Sequence, residues 1–162
     1  MRKKMTEKTM IDKAREMAAE YHAGTVDKYG NCYTEHLARV AGRVREMEYD
    51  FVDETSEIEM YVAAAYLHDI IEDTNCKIDD LKELFPIEVT SAIFRLTRKE
   101  GMTYAEYIDV ILDRSGSYEL AGKIARVVKL ADLFDHVSGP TPCPPSLKKR
   151  YEKSLYRLIS KG

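Results

Sequence analysis

The stretch AAAYLHDIIEDT, residues 63–74, places an imidazole and three carboxylates in an otherwise apolar segment. These polar side chains are His68, Asp69, Glu72 and Asp73. The nearest basic residues in the sequence are Arg45 and Lys77. Because unpaired charge in an apolar setting is costly, the carboxylates need a positive partner or access to water. We therefore expect an arginine from elsewhere in the chain, a bound cation, or a helix end that reaches solvent.

Two further segments carry groups that could join this set. His36 lies on the apolar side of a helical pattern, and Asp132 lies within the apolar segment ARVVKLADLFDHV. Taken alone, His36 is equally well a hydrogen-bonded core histidine, and Asp132 a salt-bridge partner of Lys129 three residues earlier. Together with His68 and Asp69, they would form a set of two imidazoles and two carboxylates. Such a set suits manganese, iron or zinc and does not distinguish these ions sharply.

Helices must position these groups, because the apolar residues recur at helical spacing nearly throughout the chain and alternating strand-like runs are absent. The pattern predicts helices over residues 9–23, 34–48, 56–73, 78–85, 87–98, 103–115, 118–137 and from 146 onward. The third of these helices is apolar nearly all round, which indicates that it is buried. The sequence therefore predicts an all-α fold.

The length of 162 residues predicts a single domain over 1–162. Its parts would be a core at about 9–138, a proline-rich connector over 139–146 and a C-terminal helix over 147–161. The connector reads GPTPCPPS, and its four prolines exclude a helix there. The final segment is amphipathic, with six basic residues between Lys148 and Lys161.

Composition narrows the classes of partner and setting. The net charge of -3 argues against a generic polyanion binder, so nucleic acid is not an expected partner. No apolar run approaches membrane-spanning length. The three cysteines are widely separated, which argues against a disulfide framework. These features predict a cytoplasmic protein without membrane association, and they leave its oligomeric state open.

The order of the motifs resembles the HD-domain metal-dependent phosphohydrolases, whose pattern is H…HD…D. The chain resembles in particular the hydrolase domain of RelA/SpoT-type proteins and their small stand-alone relatives. The similarity runs from about Ala18 to Val137. The matching segments are HAGTVDKYGNCYTEH, AAAYLHDIIEDT, VVKLADLF and LTRKEGMTYAEYI. The resemblance implies an HD-domain helical bundle.

The resemblance also implies roles for individual residues. The implied ligands of one divalent metal ion are His36, His68, Asp69 and Asp132. Manganese is the first expectation for that ion, with iron, zinc and cobalt as alternatives. Glu72 and Asp73 occupy the positions of the catalytic acidic pair. The implied substrate contacts are Lys28, Lys129 and His136.

This chain departs from the RelA/SpoT pattern at two places. Asp135 and His136 stand where that group has a His-Asn pair, whose asparagine lies near the nucleoside. Leu37 replaces the proline that commonly follows the first ligand histidine. The first departure bears on base recognition, and the second on local helix geometry.

The leading functional hypothesis is a metal-dependent phosphohydrolase that acts on a nucleotide, as a (p)ppGpp-type 3′-pyrophosphohydrolase. The first alternative is an HD-type nucleotidase or triphosphohydrolase with a different nucleotide substrate. The second is a non-enzymatic module that binds metal and nucleotide as a sensor. A nucleic-acid or partner-binding role for the basic C-terminal helix ranks below these, because basic residues opposite an apolar stripe are the usual solvated face of a docked helix.

Overall fold

The computed structural model describes residues 7–48, 55–116 and 118–161. The helices are α1 (Met10–Tyr21), α2 (Tyr33–Glu48), α3 (Thr55–Leu67), α4 (Ile70–Asp73), α5 (Ile78–Lys82), α6 (Ile87–Leu96), α7 (Tyr104–Leu112), α8 (Glu119–Ser138) and α9 (Pro145–Ser160). Within the described ranges there is no β-strand, only an isolated antiparallel bridge between Val26 and Cys32. The predicted all-α fold is confirmed.

Helix α3 lies at the centre of the bundle. It packs against α1, α2, α6 and α8. Its middle residues Ala63, Ala64 and Ala65 are fully buried, and their small side chains let the neighbouring helices approach closely. The burial expected from a helix that is apolar all round is therefore observed.

Helix α8 is, with α3, a central helix of the core and contacts α2, α3, α6 and α9. Ile124, Val128 and Leu133 are fully buried along it. The same helix carries the charged residues Lys129, Asp132 and Asp135 into the interior. Charged groups at such depth need partners of opposite charge, so this part of α8 marks a polar centre within the core. The helix ends at Gly139, whose backbone N–H donates to the carbonyl of Asp135 at 2.8 Å.

The structure differs from the predicted continuous helix over 56–73. Helix α3 ends at Leu67, and α4 begins at Ile70 after a turn at His68 and Asp69. Asp69 has φ −104° and ψ 1°, which departs from helical geometry. Successive residues of a regular helix point about 100° apart, whereas this turn lets His68 and Asp69 face the same region.

The C-terminal helix is packed on the bundle through α7 and α8. Leu155 and Leu158 are buried on its inner face. The Arg126 guanidinium of α8 donates to the Leu158 carbonyl at 3.1 Å, and Arg157 forms a salt bridge with Asp109 of α7. Helix α9 therefore forms one wall of the bundle.

Among the described residues, no helix is both long enough and apolar enough to cross a bilayer.

Candidate active site

Three imidazoles converge on one carboxylate oxygen, Asp132 Oδ1. It lies 3.2 Å from Nε2 of His36, 3.5 Å from Nε2 of His68 and 3.1 Å from Nε2 of His136. The other oxygen, Oδ2, accepts a hydrogen bond from the Lys129 ammonium at 2.8 Å. Lys129 and Asp132 therefore form the ion pair that their spacing on one helix predicts. Oδ1 is left to face the imidazoles.

The turn between α3 and α4 orients the second pair of groups. His68 Nδ1 donates to the Ala65 carbonyl at 2.7 Å, because a carbonyl oxygen can only accept. This bond fixes the proton on Nδ1 and directs Nε2 toward the cluster, 3.0 Å from Asp69 Oδ2. The turn between α3 and α4 thus directs the consecutive side chains of His68 and Asp69 toward the same cluster.

The cluster has the properties of a cation site. Three of its buried atoms, His36 Nε2, His68 Nε2 and Asp132 Oδ1, make no hydrogen bond. Buried polar atoms are seldom left without a partner in native proteins, so these atoms indicate a missing one. The ligand atoms of His36, His68 and Asp69 all lie within 4.8 Å of one another. Imidazole nitrogens and carboxylate oxygens are the donors that first-row divalent ions accept, so the residues present fit such an ion.

The electrostatics of the cluster favour positive charge. Burial lowers the pKa of His36, but the Asp132 and Asp135 carboxylates more than offset this and raise it to about 9. Burial also opposes charge on His68, yet the carboxylates of Asp69 and Asp132 raise its pKa well above the ordinary value. Despite burial, Lys129 and the neighbouring imidazoles hold the pKa of Asp132 well below its usual range. The carboxylates therefore stay ionised, and a divalent cation would neutralise their negative charge.

Two residues outside the predicted ligand set orient its members. The carboxylate of Asp135 accepts from His36 Nδ1 at 2.8 Å and from Arg39 Nε at 2.9 Å. The hydroxyl of Tyr33, one turn before His36 on α2, donates to Asp69 Oδ2. Partners of this kind fix the tautomer and direction of metal ligands in known metal sites. Asp135 therefore faces the imidazole of His36.

A cavity of about 260 Å³ opens beside the cluster. Its acidic lining residues are Asp69, Glu72, Asp73 and Asp132. Its basic ones are Arg98, Lys129, His136 and Arg150, and its aromatic ones are Tyr104, Tyr107 and Tyr151. One cavity thus combines a cation site with free carboxylates, positive side chains and aromatic faces.

Glu72 and Asp73 lie in this cavity, one short turn beyond the HD pair. Burial, together with the neighbouring Asp69 carboxylate, raises the pKa of Glu72 and of Asp73 above their ordinary values. Glu72 also accepts a hydrogen bond from the backbone N–H of Arg98 at 3.0 Å, which holds it in place. A carboxylate with a raised pKa accepts a proton more readily, so this pair is suited to proton transfer.

The basic side of the cavity is built on aromatic rings. The Arg150 guanidinium lies 4.4 Å from the ring centre of Tyr104 and 5.4 Å from that of Tyr151. The Lys129 ammonium lies 5.0 Å from the ring centre of Tyr107. Cation–π contacts hold such groups in place without neutralising them. Arg150 therefore keeps its charge available for an anion, whereas Lys129 also pairs with Asp132.

The predicted site residues fall into two groups. The structure brings together His36, His68, Asp69, Glu72, Asp73, Lys129, Asp132 and His136. Lys28 lies elsewhere, exposed in the loop between α1 and α2, with its ammonium 5.1 Å from the Tyr29 ring centre. It does not line the cavity described above.

Sequence reasoning missed several residues of the site. Tyr33 could have been found, because it lies three residues before His36 and hence on the same helix face. Arg150 could not be singled out, because the C-terminal segment holds six basic residues and nothing local selects one. On spacing alone, Tyr104 and Tyr107 of the predicted helix over 103–115 could line a cleft or pack in the core, and core packing is the simpler expectation. Tyr107 is buried and donates to the Leu96 carbonyl at 2.5 Å, but both rings also line the cavity.

An all-α bundle with a His/Asp cation site is the class of protein that fold and site define together. A family model described as "HD domain" matches residues 14–131 of the chain. This range covers well over half of the sequence, so the chain belongs to the HD-domain family.

Individual relatives support the same relationship. The chain is 28% identical over 154 residues to a probable guanosine-3′,5′-bis(diphosphate) 3′-pyrophosphohydrolase of Synechocystis, an alignment covering 93% of this chain and 19% of the relative. It is 34% identical over 89 residues to a GTP pyrophosphokinase of Myxococcus xanthus, covering 55% of this chain and 11% of the relative. The chain thus spans about a fifth or less of the length of these curated relatives.

A solved structure has the same fold. It belongs to a metazoan ortholog of SpoT that hydrolyses ppGpp, and it matches with a TM-score of 0.69 at 20% identity. The match covers 97% of this chain and 87% of the other. The predicted HD-domain bundle and the resemblance to RelA/SpoT-type proteins are confirmed.

Proposed function

We propose that this protein is a divalent-metal-dependent phosphohydrolase acting on a nucleotide, as a (p)ppGpp-type 3′-pyrophosphohydrolase. The main support for the proposal is that Glu72 and Asp73 lie beside the His/Asp cluster in the same cavity, with Lys129 and Arg150 on its wall. The names of the Synechocystis relative and of the metazoan structure point to the same substrate. A cytoplasmic location remains a prediction.

His36, His68, Asp69 and Asp132 would hold the ion. We propose a first-row divalent ion: manganese is the first expectation, and two imidazoles and two carboxylates also suit iron, zinc or cobalt. When bound, such an ion polarises a phosphoryl oxygen and lowers the pKa of a water molecule. Asp135 and Tyr33 would keep His36 and Asp69 directed at it.

Glu72 and Asp73 would orient the attacking water and accept its proton. Their raised pKa values suit them to this task, because a carboxylate with a raised pKa accepts a proton more readily. Glu72 is the stronger candidate for the base, because the bond from the Arg98 N–H fixes one of its oxygens.

Lys129 and Arg150 would offset the negative charge of the substrate phosphates. Both are held over aromatic rings and both line the cavity. Arg98 lines the same wall. Tyr104 and Tyr151 hold the Arg150 guanidinium on this wall through cation–π contacts. A contact between Lys28 and the substrate remains a prediction.

The residues at positions 135 and 136 favour a second candidate class of substrate. Asp135 faces His36, and His136 occupies the position beside the cavity where the resemblance expects an asparagine. An imidazole presents a different hydrogen-bonding edge from an amide, so base selectivity would differ. The second candidate is therefore a nucleotidase or triphosphohydrolase with the same metal chemistry.

A hydrolysis screen separates these candidates. Purified protein loaded with manganese, zinc, iron or cobalt is incubated with ppGpp, pppGpp, GTP, GDP and the adenine nucleotides, and products are identified by ion-exchange chromatography. We expect release of pyrophosphate from ppGpp, lost in Asp69→Ala and strongly slowed in Glu72→Gln. Turnover of another nucleotide with ppGpp intact would support the second candidate. Tight binding of ppGpp without product would indicate a sensor and overturn the proposed activity.

A further inference from the structure

His136 lies as close to the Asp132 carboxylate as the two histidines of the HD pattern do. Its Nε2 lies 3.1 Å from Asp132 Oδ1, the shortest of the three imidazole distances to that oxygen. The ligand atoms of His36, Asp132 and His136 also lie within 4.8 Å of one another. Two of these three atoms, His36 Nε2 and Asp132 Oδ1, are buried and make no hydrogen bond.

The position of His136 on α8 explains this geometry. It follows Asp132 by four residues, which places both side chains on the same face of the helix. Its ring centre lies 5.0 Å from that of His36 and 5.3 Å from that of Tyr151. The ring is thus held between the cluster and the wall formed by α9, with its Nε2 directed at the carboxylate.

We propose that His136 is a further ligand of the divalent ion, so that the centre contains three imidazoles. The inference rests on the metal site of the proposed function and extends its ligand set. His36 is common to both groups of candidate ligands, and Asp132 Oδ1 of the second group lies 3.5 Å from His68 Nε2 of the first, so the proposal places one ion between the two groups. The cavity keeps Lys129, Arg98 and Arg150 for substrate phosphates, so its positive wall does not depend on His136.

A third imidazole changes which ions the site prefers. Imidazole suits zinc, iron, copper and nickel, whereas manganese is better matched by oxygen donors. A centre with three nitrogen and two carboxylate ligands should therefore favour zinc or iron over manganese more strongly than the four-ligand set. Replacing His136 with asparagine should weaken zinc binding more than manganese binding.

The small number of histidines makes a direct test possible. The chain has four of them, His22, His36, His68 and His136. Protein with 15N-labelled histidine is titrated with Zn²⁺, and the imidazole nitrogen resonances are recorded. We expect three Nε2 resonances to move to metal-bound positions and one fewer to do so in His136→Asn. His22, which is in neither candidate ligand set, serves as the internal reference.

Affinity measurements supply the second readout. By chelator competition, His136→Asn should bind Zn²⁺ at least about tenfold more weakly, in line with the size of effects seen when metal-site partners are removed. Lys149→Ala, which removes an exposed cation of α9, should bind Zn²⁺ as the unaltered protein does. Two bound imidazoles in the unaltered protein, with unchanged affinity in His136→Asn, would overturn the inference.

The outcomes separate this inference from the proposed function. Three bound imidazoles without turnover of any nucleotide would support the ligand and remove the activity. Two bound imidazoles with turnover of ppGpp would support the activity and indicate that His136 contacts the substrate instead of the metal. In that case His136→Asn should raise KM.

Discussion

The His36 imidazole and the Asp135 carboxylate form a buried contact in which Nδ1 donates to Oδ2 at 2.8 Å. The Asp135 side chain is only 3% exposed and also accepts from Arg39. This contact places the His36 proton on Nδ1, so that Nε2 is directed at Asp132. A carboxylate behind a ligand histidine both orients the ring and raises its basicity as a ligand.

Asp135→Asn should therefore weaken metal binding without removing a ligand. The amide keeps the size of the side chain but loses the charge, so we expect a loss of about 10- to 100-fold in affinity for Mn²⁺ or Zn²⁺. Chelator competition measures it. Asp79→Asn, at an exposed residue, is the matched control and should bind metal normally. Unchanged affinity in Asp135→Asn would show that the contact serves only the fold.

Asp69→Ala and Glu72→Gln should separate metal binding from chemistry. Asp69→Ala removes a proposed ligand, so bound metal after reconstitution should fall sharply. Glu72→Gln keeps the metal and loses the proposed base, so kcat should fall by about 10²- to 10⁴-fold. Elemental analysis and initial rates measure the two effects. Full turnover by metal-free Asp69→Ala would refute the assignment of the centre.

Metal should raise the thermal stability of the protein. An ion that binds only the folded state adds about 2.7 kcal/mol at a concentration 100 times its Kd. Calorimetry with and without chelator should therefore show a higher Tm in the loaded protein. Asp69→Ala should lack most of this difference, and an equal shift in both proteins would point to binding elsewhere.

Arg150→Ala should impair binding of phosphorylated substrate. A charge-assisted hydrogen bond contributes about 1.5–3 kcal/mol, so we expect KM to rise by about 10- to 100-fold with metal affinity unchanged. Lys149→Ala and Lys153→Ala remove exposed cations from the same helix and serve as controls. An equal rise in KM in all three variants would indicate a general effect of charge on α9.

Activity should depend on pH through Glu72. Burial and the Asp69 carboxylate disfavour its ionised form and raise its pKa above the ordinary value of 4.5. A base must be ionised to act, so kcat/KM at saturating metal should fall as the pH falls through this raised pKa. The fall should occur at a higher pH than for an exposed glutamate. This fall in kcat/KM at low pH should be absent from the residual activity of Glu72→Gln. If it persists in that variant, a group other than Glu72 causes it.

Some of the site could be predicted because local spacing determines it. His136 follows Asp132 by four positions and Asp132 follows Lys129 by three, so a helix alone places these pairs side by side. The break at His68 and Asp69 could not be foreseen. It depends on the bond from His68 to the Ala65 carbonyl and on what α3 packs against, neither of which leaves a local pattern.

The orientation of Asp135 was equally beyond sequence reasoning. The resemblance aligned Asp135 and His136 with a pair that has an asparagine beside the nucleoside, whereas Asp135 faces His36 and Arg39 on α2. Its direction is set by the packing of α8 on α2. Arg150 raises the same difficulty, because only the docking of α9 decides which of its cations faces the cavity.

The backbone at the end of α8 affects the geometry of the proposed metal site. A methyl group at Gly139 would lie 2.2 Å from the carbonyl oxygen of Asp135 and 3.0 Å from its Oδ1. Alanine at this position would therefore displace Asp135, and the His36 ring would lose the anchor that sets its direction. A single methyl group at the end of a helix would then weaken binding of the proposed ion, because the ligand His36 depends on that aspartate for its direction.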